Sequence, residues 1–233
     1  MIFGWDASDY DHERGMRAEH LHAASADGVG FFTHKATEQT PKTVFASRHF
    51  GEKITAAREA GIPFLGAYAV VRTGVAPTEQ AATAVEFVRT HAPFLLEAPD
   101  GFRGFFWQVD LEHWDYDKVE AELGEAMATE LEQLTGHRAV LYAPRWAYGD
   151  GLPGDRPLWN SDYRGSGDPA HFRDQWDRVA VHDANQGFAA MSGREPHILQ
   201  YASDAVIGGQ HTCDANVFRG TLDDFADMIT MRA

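Results

Sequence analysis

From residue 2 to residue 142, short apolar runs alternate with stretches of helical periodicity, and this alternation limits the folds open to the chain more than any other feature. An apolar run at 2–5 precedes a polar, alanine-containing segment at 12–26, and a second run follows at 29–32. A helix after Val44 leads to a run at 64–68. After Pro77, residues Ala81, Ala84, Val85 and Val88 share one helical face ahead of a strand at 105–111. In the next helix Val119, Leu123, Met127, Leu131 and Leu134 form an apolar stripe, with Asp117 and Glu120 spaced as a capping box and Gly136 as a stop. Further strands are expected at Ala139–Tyr142, Leu158–Ser161 and 197–201. The span 144–168 is rich in Gly, Pro and Asp, so full-length helices are scarce there. A closing helix is marked by Thr221 as N-cap, Asp224 three positions on, and Leu222, Phe225 and Ile229 on one face. Alternating strands and helices favour parallel pairing, so the simplest closure is an α/β barrel of TIM type with some helices missing late in the chain. With no internal repeat and no linker, residues 1–233 read as one domain.

Several functions are excluded at this point. Acidic residues outnumber basic ones 35 to 20, and the net charge of −15 repels a phosphate backbone, which excludes nucleic acid as a partner. The single cysteine, Cys213, rules out an internal disulfide and a cysteine-built zinc site, and no helper base beside it marks a nucleophile. His20 and His22 point in different directions on a helix and no His-Glu-x-x-His occurs, so neither a metal nor any other cofactor is expected. No run approaches the roughly 18 apolar residues of a membrane span, and no basic-then-apolar leader is visible, so synthesis in a cytoplasm without membrane insertion is expected.

In a barrel of this type chemistry collects at the C-terminal ends of the strands. Polar residues stand just there: Asp6, Glu38, Tyr68, the pair Asp110 and Glu112, then Tyr142, Asp162, Gln200 and Asp214. Asp110 and Glu112 are two apart on a strand, so both carboxylates project to one side. Two close carboxylates cannot both ionise freely, and one then remains an acid near neutral pH, as cleavage of a glycosidic bond requires. A solvated strand edge imitates Asp-x-Glu. The preceding Phe105, Phe106 and Trp107 argue instead for a buried strand, where a carboxylate needs a partner or a task.

Taken together, these motifs resemble glycoside hydrolase family 25, the Chalaropsis-type lysozymes. The resemblance runs through Gly4-Trp5-Asp6-Ala7-Ser8, Lys35-Ala36-Thr37-Glu38, Gly66-Ala67-Tyr68, Val109-Asp110-Leu111-Glu112, Leu141-Tyr142, Leu158-Trp159, Leu199-Gln200-Tyr201 and Asp214-Ala215-Asn216-Val217-Phe218. It implies an irregular (β/α)5(β)3 barrel and hydrolysis, with retention, of the β-1,4 bond between N-acetylmuramic acid and N-acetylglucosamine in peptidoglycan. By the same resemblance Glu112 is the proton donor, and Asp110 either attacks or supports the substrate's acetamido group. The resemblance also implies that Asp6 and Asp214 line the groove. Ala69-Val70 departs from the family's His-Phe and bears on subsite detail.

Tyr68, Tyr142, Trp159 and Tyr201 are candidates for a sugar-stacking wall, because aromatic faces pack on pyranose rings, whereas Trp107 is assigned to the core. Glu38 and Gln200 complete the candidate substrate contacts, with Lys35 and Glu38 placed to pair. The reading is a muramidase, and more narrowly a phage endolysin that reaches the wall through a holin pore. A non-catalytic wall-binding or virion module on the same barrel is the alternative, and a chitinase-like hydrolase a weaker third.

Overall fold

The computed structural model describes residues 1–97, 101–164, 167–183 and 186–231, and in them the alternation closes on itself. Strand β1 (Ile2–Ala7) is followed by α1 (Asp9–Glu13), α2 (Ala18–Ala26), β2 (Val29–Gln39), β3 (Val44–Ala46), α3 (Phe50–Glu59), β4 (Phe64–Val70) and α4 (Pro77–His91). Next come β5 (Gly104–Asp110), the small hairpin β6 (His113–Trp114) and β7 (Asp117–Lys118), α5 (Ala121–Thr135), β8 (Ala139–Tyr142) and the one-turn α6 (Arg145–Tyr148). The chain ends with β9 (Leu158–Ser161), α7 (Phe172–Asp183), β10 (Ile198–Ile207), β11 (Gln210–Phe218) and α8 (Leu222–Ile229).

Eight strands form a closed barrel in the order β1, β2, β4, β5, β8, β9, β10, β11, with β11 returning to β1 and β3 added as a ninth strand on β2. The irregular α/β barrel expected from the sequence is therefore the observed fold. Pairing is parallel from β1 round to β10, and antiparallel on both sides of β11. The exception has a local cause. Only Gly208 and Gly209 join β10 to β11, with φ of 56° and 87°, and a two-residue turn with both residues left-handed makes a hairpin, whereas a parallel return needs a long crossover.

Strand alternation divides the apolar residues into two cores. Trp5, Phe32, Leu65, Trp107, Leu141, Leu199 and Val217 face outward, beneath the helices. Ile2, Phe31, Phe64, Phe106, Val140, Trp159, Ile198 and Phe218 face inward. Helix α8 plugs the N-terminal end of the barrel: the Phe225 ring lies 5.1 Å from Phe31, 4.6 Å from Phe64 and 5.0 Å from Phe218. Burying a ring of this size contributes on the order of 2–3 kcal/mol, so the plug stabilises the barrel at the end away from its mouth. Gly4 is required inside β1, since a Cβ there would lie 2.1 Å from the Phe31 ring.

Some local expectations are corrected. The segment 12–26 holds the end of α1 and all of α2, separated by a turn in which Gly15 has φ 108°. Helix α5 starts later than its capping-box spacing implied: Glu120 is the N-cap and makes no side-chain cap, while the Asp117 carboxylate accepts from Thr73 Oγ1 at 2.6 Å. Leu134 is half exposed; the buried face of α5 runs instead through Gly124, Met127, Ala128, Leu131 and Glu132. Glu132 is held inside because it accepts the Ala139 N–H at 3.0 Å and pairs with Arg156. Helix α7 lies beyond the Gly-, Pro- and Asp-rich span 144–168 and adds a helix between β9 and β10. The Thr221–Asp224 capping box of α8 forms as expected. Among the described residues no helix is long and apolar enough to cross a membrane.

Candidate active site

The inward-facing positions change character along the barrel: apolar at the bottom, polar at the C-terminal mouth. On β1 the sequence Ile2, Gly4, Asp6 climbs from core to mouth, and on β5 Phe106, Gln108, Asp110 does the same. Asp6 and Asp214 are register partners across the antiparallel β1–β11 pair, and Asp110 is the partner of Tyr142. Barrel closure therefore brings carboxylates from the first, middle and last parts of the chain to one mouth, with Glu112 just past the end of β5.

A hydrogen-bonded net fixes their floor. Gln200 Nε2 donates to both Asp6 oxygens, at 2.8 and 3.0 Å, and Asn216 Nδ2 donates to Asp6 Oδ1 at 2.6 Å. The Gln200 Oε1 accepts from the hydroxyls of Tyr142, at 2.9 Å, and Tyr163. Below them Thr33 Oγ1 donates to Gln108 Oε1 at 2.6 Å. By contrast Asp110 Oδ1 is enclosed and has no protein hydrogen-bond partner.

Burial is the main reason these carboxyls hold protons tightly. It pushes Asp6 up from 3.8 to about 7, against the hydrogen bonds from Asn216 and Gln200. Asp110 is raised well above the usual range by burial and then by the charge of Glu112, and Asp214 by burial and then by Asp6. Glu112 is raised by burial too, while the Tyr142 hydroxyl, Arg72 and Lys35 work against the rise. The set thus holds its protons more tightly than free carboxyls do, as general acid chemistry demands.

A cationic flank stands beside the pair. Arg72 donates through Nε to Glu38 Oε1 at 2.7 Å and lies 3.6 Å over the Trp114 ring, and Lys35 Nζ donates to Glu38 Oε2 at 2.6 Å. Burial would raise Glu38, but its bonds and charge contacts with Lys35 and Arg72 outweigh this and hold it below the ordinary carboxylate value. Glu38 is therefore a neutralised member of an ion-pair cluster tying β2 to the loop after β4.

Two cavities open on the rim. One, of about 290 Å³, is lined by Ser8, Asp9, Tyr10, Lys35, Glu38, Phe45 and Arg48 among others, beside the ends of β1 and β2. The other, of about 390 Å³, is lined by Arg145, Trp146, Ser161, Asp162, Tyr163 and Arg164, beyond β8 and β9. In the ring of eight strands these pairs are diametrically opposite. Both flank the mouth that holds the carboxylates.

Of the residues singled out in the sequence, Asp6, Tyr68, Asp110, Glu112, Tyr142, Gln200 and Asp214 gather at the mouth, with Glu38 on its flank. Two aromatic assignments are corrected. Trp159 is fully enclosed in the barrel interior, donating its indole N–H to Asn216 Oδ1 at 3.0 Å, so no ring face is open to a sugar. Tyr201 has the opposite strand phase from Gln200 and lies outside the barrel, its hydroxyl on the Phe172 carbonyl at 2.7 Å. Ala69 packs in the outer core and Val70 is buried.

No family model matches the sequence, and no curated protein matches it. Solved structures do. A family 25 glycosyl hydrolase from Bacillus anthracis superposes with a TM-score of 0.68 at 19% identity, over 97% of this chain and 93% of its own. A spore cortex lytic enzyme from Clostridium perfringens gives 0.70 at 17% identity, over 96% of this chain and 68% of its own. The catalytic domain of an endolysin from bacteriophage P40 of Listeria monocytogenes gives 0.68 at 14% identity, over 98% of each chain. This chain has their fold.

The sequence reading missed Asn216, Tyr163, Arg72 and Trp146 as site residues. Asn216 was visible as the residue two after Asp214, on the same strand face. Trp146 is 67% exposed on α6 and Tyr163 follows β9; both belong to loops after strand ends, where a search by barrel logic would look.

Proposed function

We propose that this chain is a peptidoglycan hydrolase, an N-acetylmuramidase that cleaves the β-1,4 bond between N-acetylmuramic acid and N-acetylglucosamine with retention at the anomeric carbon. The observation that carries the reading is the convergence of Asp6, Asp110, Glu112 and Asp214 at the mouth of the barrel, with their proton affinities raised. The fold shared with solved lytic enzymes supports it.

In this reading Glu112 gives its proton to the glycosidic oxygen as the bond to the anomeric carbon breaks. It then takes a proton from the water whose hydroxide adds to that carbon. The Asp110 carboxyl is partly exposed at the mouth, and it suits the N–H of the acetamido group beside the anomeric carbon. That contact aims the acetamido oxygen at the carbon as an internal nucleophile, the substrate-assisted form of the reaction. Asp6 and Asp214 tune the pair, Gln200 and Tyr142 brace them, and Tyr68 borders the sugar. The narrower reading is a phage endolysin that reaches the wall through a holin pore.

The test is loss of turbidity of purified cell walls. Glu112→Gln is expected to lower the rate by at least about a hundredfold, the loss of general acid catalysis, with no loss of folding. Muramic acid is expected at the new reducing ends. Equal clearing by wild type and variant would refute the role of Glu112. Glucosamine reducing ends, or cleavage of chitin oligomers without action on walls, would refute the muramidase.

A further inference from the structure

Away from the mouth, three donor side chains meet where α1 approaches the start of α3. Among the described residues, ligand atoms of His12, His49 and Glu52 all lie within 4.8 Å of one another. The two imidazoles are stacked, with ring centroids 3.4 Å apart and planes 7° from parallel, and His49 Nδ1 is 3.5 Å from Glu52 Oε2. In a tetrahedral site with ligands about 2.1 Å from the ion, neighbouring donor atoms stand about 3.4 Å apart. His49 Nδ1 and Glu52 Oε2 already stand at that separation, and His12 brings a third ligand atom within 4.8 Å of both.

A further observation points to a ligand. His12 Nδ1 is enclosed and has no hydrogen-bond partner, an arrangement that is costly unless something uses the lone pair or the N–H. Glu52 divides its oxygens: Oε1 accepts from Lys53 Nζ at 2.8 Å, while Oε2 faces His49.

We propose that His12, His49 and Glu52 form a three-ligand site for a first-row divalent transition ion such as zinc. Imidazole nitrogens select against calcium and magnesium, which prefer oxygen shells. The stacked rings must splay for both lone pairs to meet one ion, and the Lys53 charge opposes it, so the affinity is modest. The ion would clamp α1 to α3 at the junction where the Asp9 carboxylate already accepts from Ser47 Oγ at 2.5 Å and from the backbone N–H groups of Arg48 and His49. It has no part in the hydrolytic step, and the site stands independently of the proposed activity. Sequence spacing did not reveal it, because His12 and His49 lie on different elements and meet only in the folded chain.

The experiment is calorimetric titration of chelator-treated protein with ZnCl2, with CaCl2 as a control and thermal unfolding as a second readout. One zinc per chain, a zinc-dependent rise in Tm and no response to calcium are expected. His12→Ala and His49→Ala are each expected to weaken zinc binding at least about tenfold. Glu52→Gln, at an exposed position, does the same and keeps the test open if a histidine variant fails to fold. A paired His20→Ala, His22→Ala control is expected to bind like wild type. Absence of zinc binding up to millimolar concentration, or unchanged binding in folded His49→Ala and Glu52→Gln proteins, would overturn the site.

Discussion

Replacing Asp6 with asparagine is expected to change sign in its effect on stability between acid and neutral pH. Asp6 is 7% exposed and its carboxyl is pushed from 3.8 to about 7, first by burial and secondarily by the charge of Asp11, against the hydrogen bonds from Asn216 and Gln200. The folded chain therefore keeps this proton over a range where the unfolded chain has lost it. With the folded value above the unfolded one, the wild type is most stable below about pH 4 and loses stability as pH rises towards 7. At 1.36 kcal/mol per tenfold change in proton affinity, the loss by neutral pH is about 4 kcal/mol. An asparagine carries no charge and escapes it. It has one carbonyl oxygen, however, and its amide would meet the donor groups of Gln200 or Asn216, at a cost of about 1–3 kcal/mol at every pH. The variant should thus be less stable than wild type by about 1–3 kcal/mol near pH 4 and more stable by a similar margin above pH 7. Urea unfolding of both proteins from about pH 4 to about pH 8 measures the difference. A difference that does not vary with pH would refute the argument that Asp6 is held protonated by burial.

Other consequences can be checked in the same preparations. Arg72→Ala removes one of the two cations paired with Glu38 and the cation over Trp114, and is expected to destabilise the fold by about 3 kcal/mol in urea unfolding. Because Arg72 also lowers the proton affinity of Glu112, the alkaline limb of the pH–rate profile should move to higher pH in that variant; an unmoved limb would separate Arg72 from the acid. Tyr201→Phe loses only the bond to the Phe172 carbonyl, so stability should fall by about 1 kcal/mol while wall clearing is unchanged. Reduced clearing by a folded Tyr201→Phe would return that residue to the site. Trp146→Ala, at an exposed ring on the rim, should leave Tm unchanged and raise KM several-fold on long glycan strands, and an unchanged KM would remove that cavity from the substrate path.

Much of this architecture was legible because it is written in local periods. The two-residue period of β5 places Phe106, Gln108 and Asp110 on one face without reference to any other strand, and the helical period after Pro77 does the same for α4. Even the hairpin that turns β11 antiparallel was written locally, in Gly208-Gly209, although the general rule of alternating strands and helices argued for a parallel return. Phase alone also separates Gln200 from Tyr201, so that one reaches Asp6 and the other the outer core.

What the linear order could not carry is proximity between distant strands. Asp6 meets Gln200, Asp214 and Asn216 only because the last strand closes the barrel against the first. That closure turns ordinary surface carboxyls into buried ones with raised proton affinity. The depth of an inward-facing ring was equally hidden: Trp159 and Tyr142 share the inner face, yet one is sealed over the core and the other reaches the mouth. A side chain's periodicity follows from its own strand, whereas its depth, its charge state and its partners depend on what seven other strands place around it.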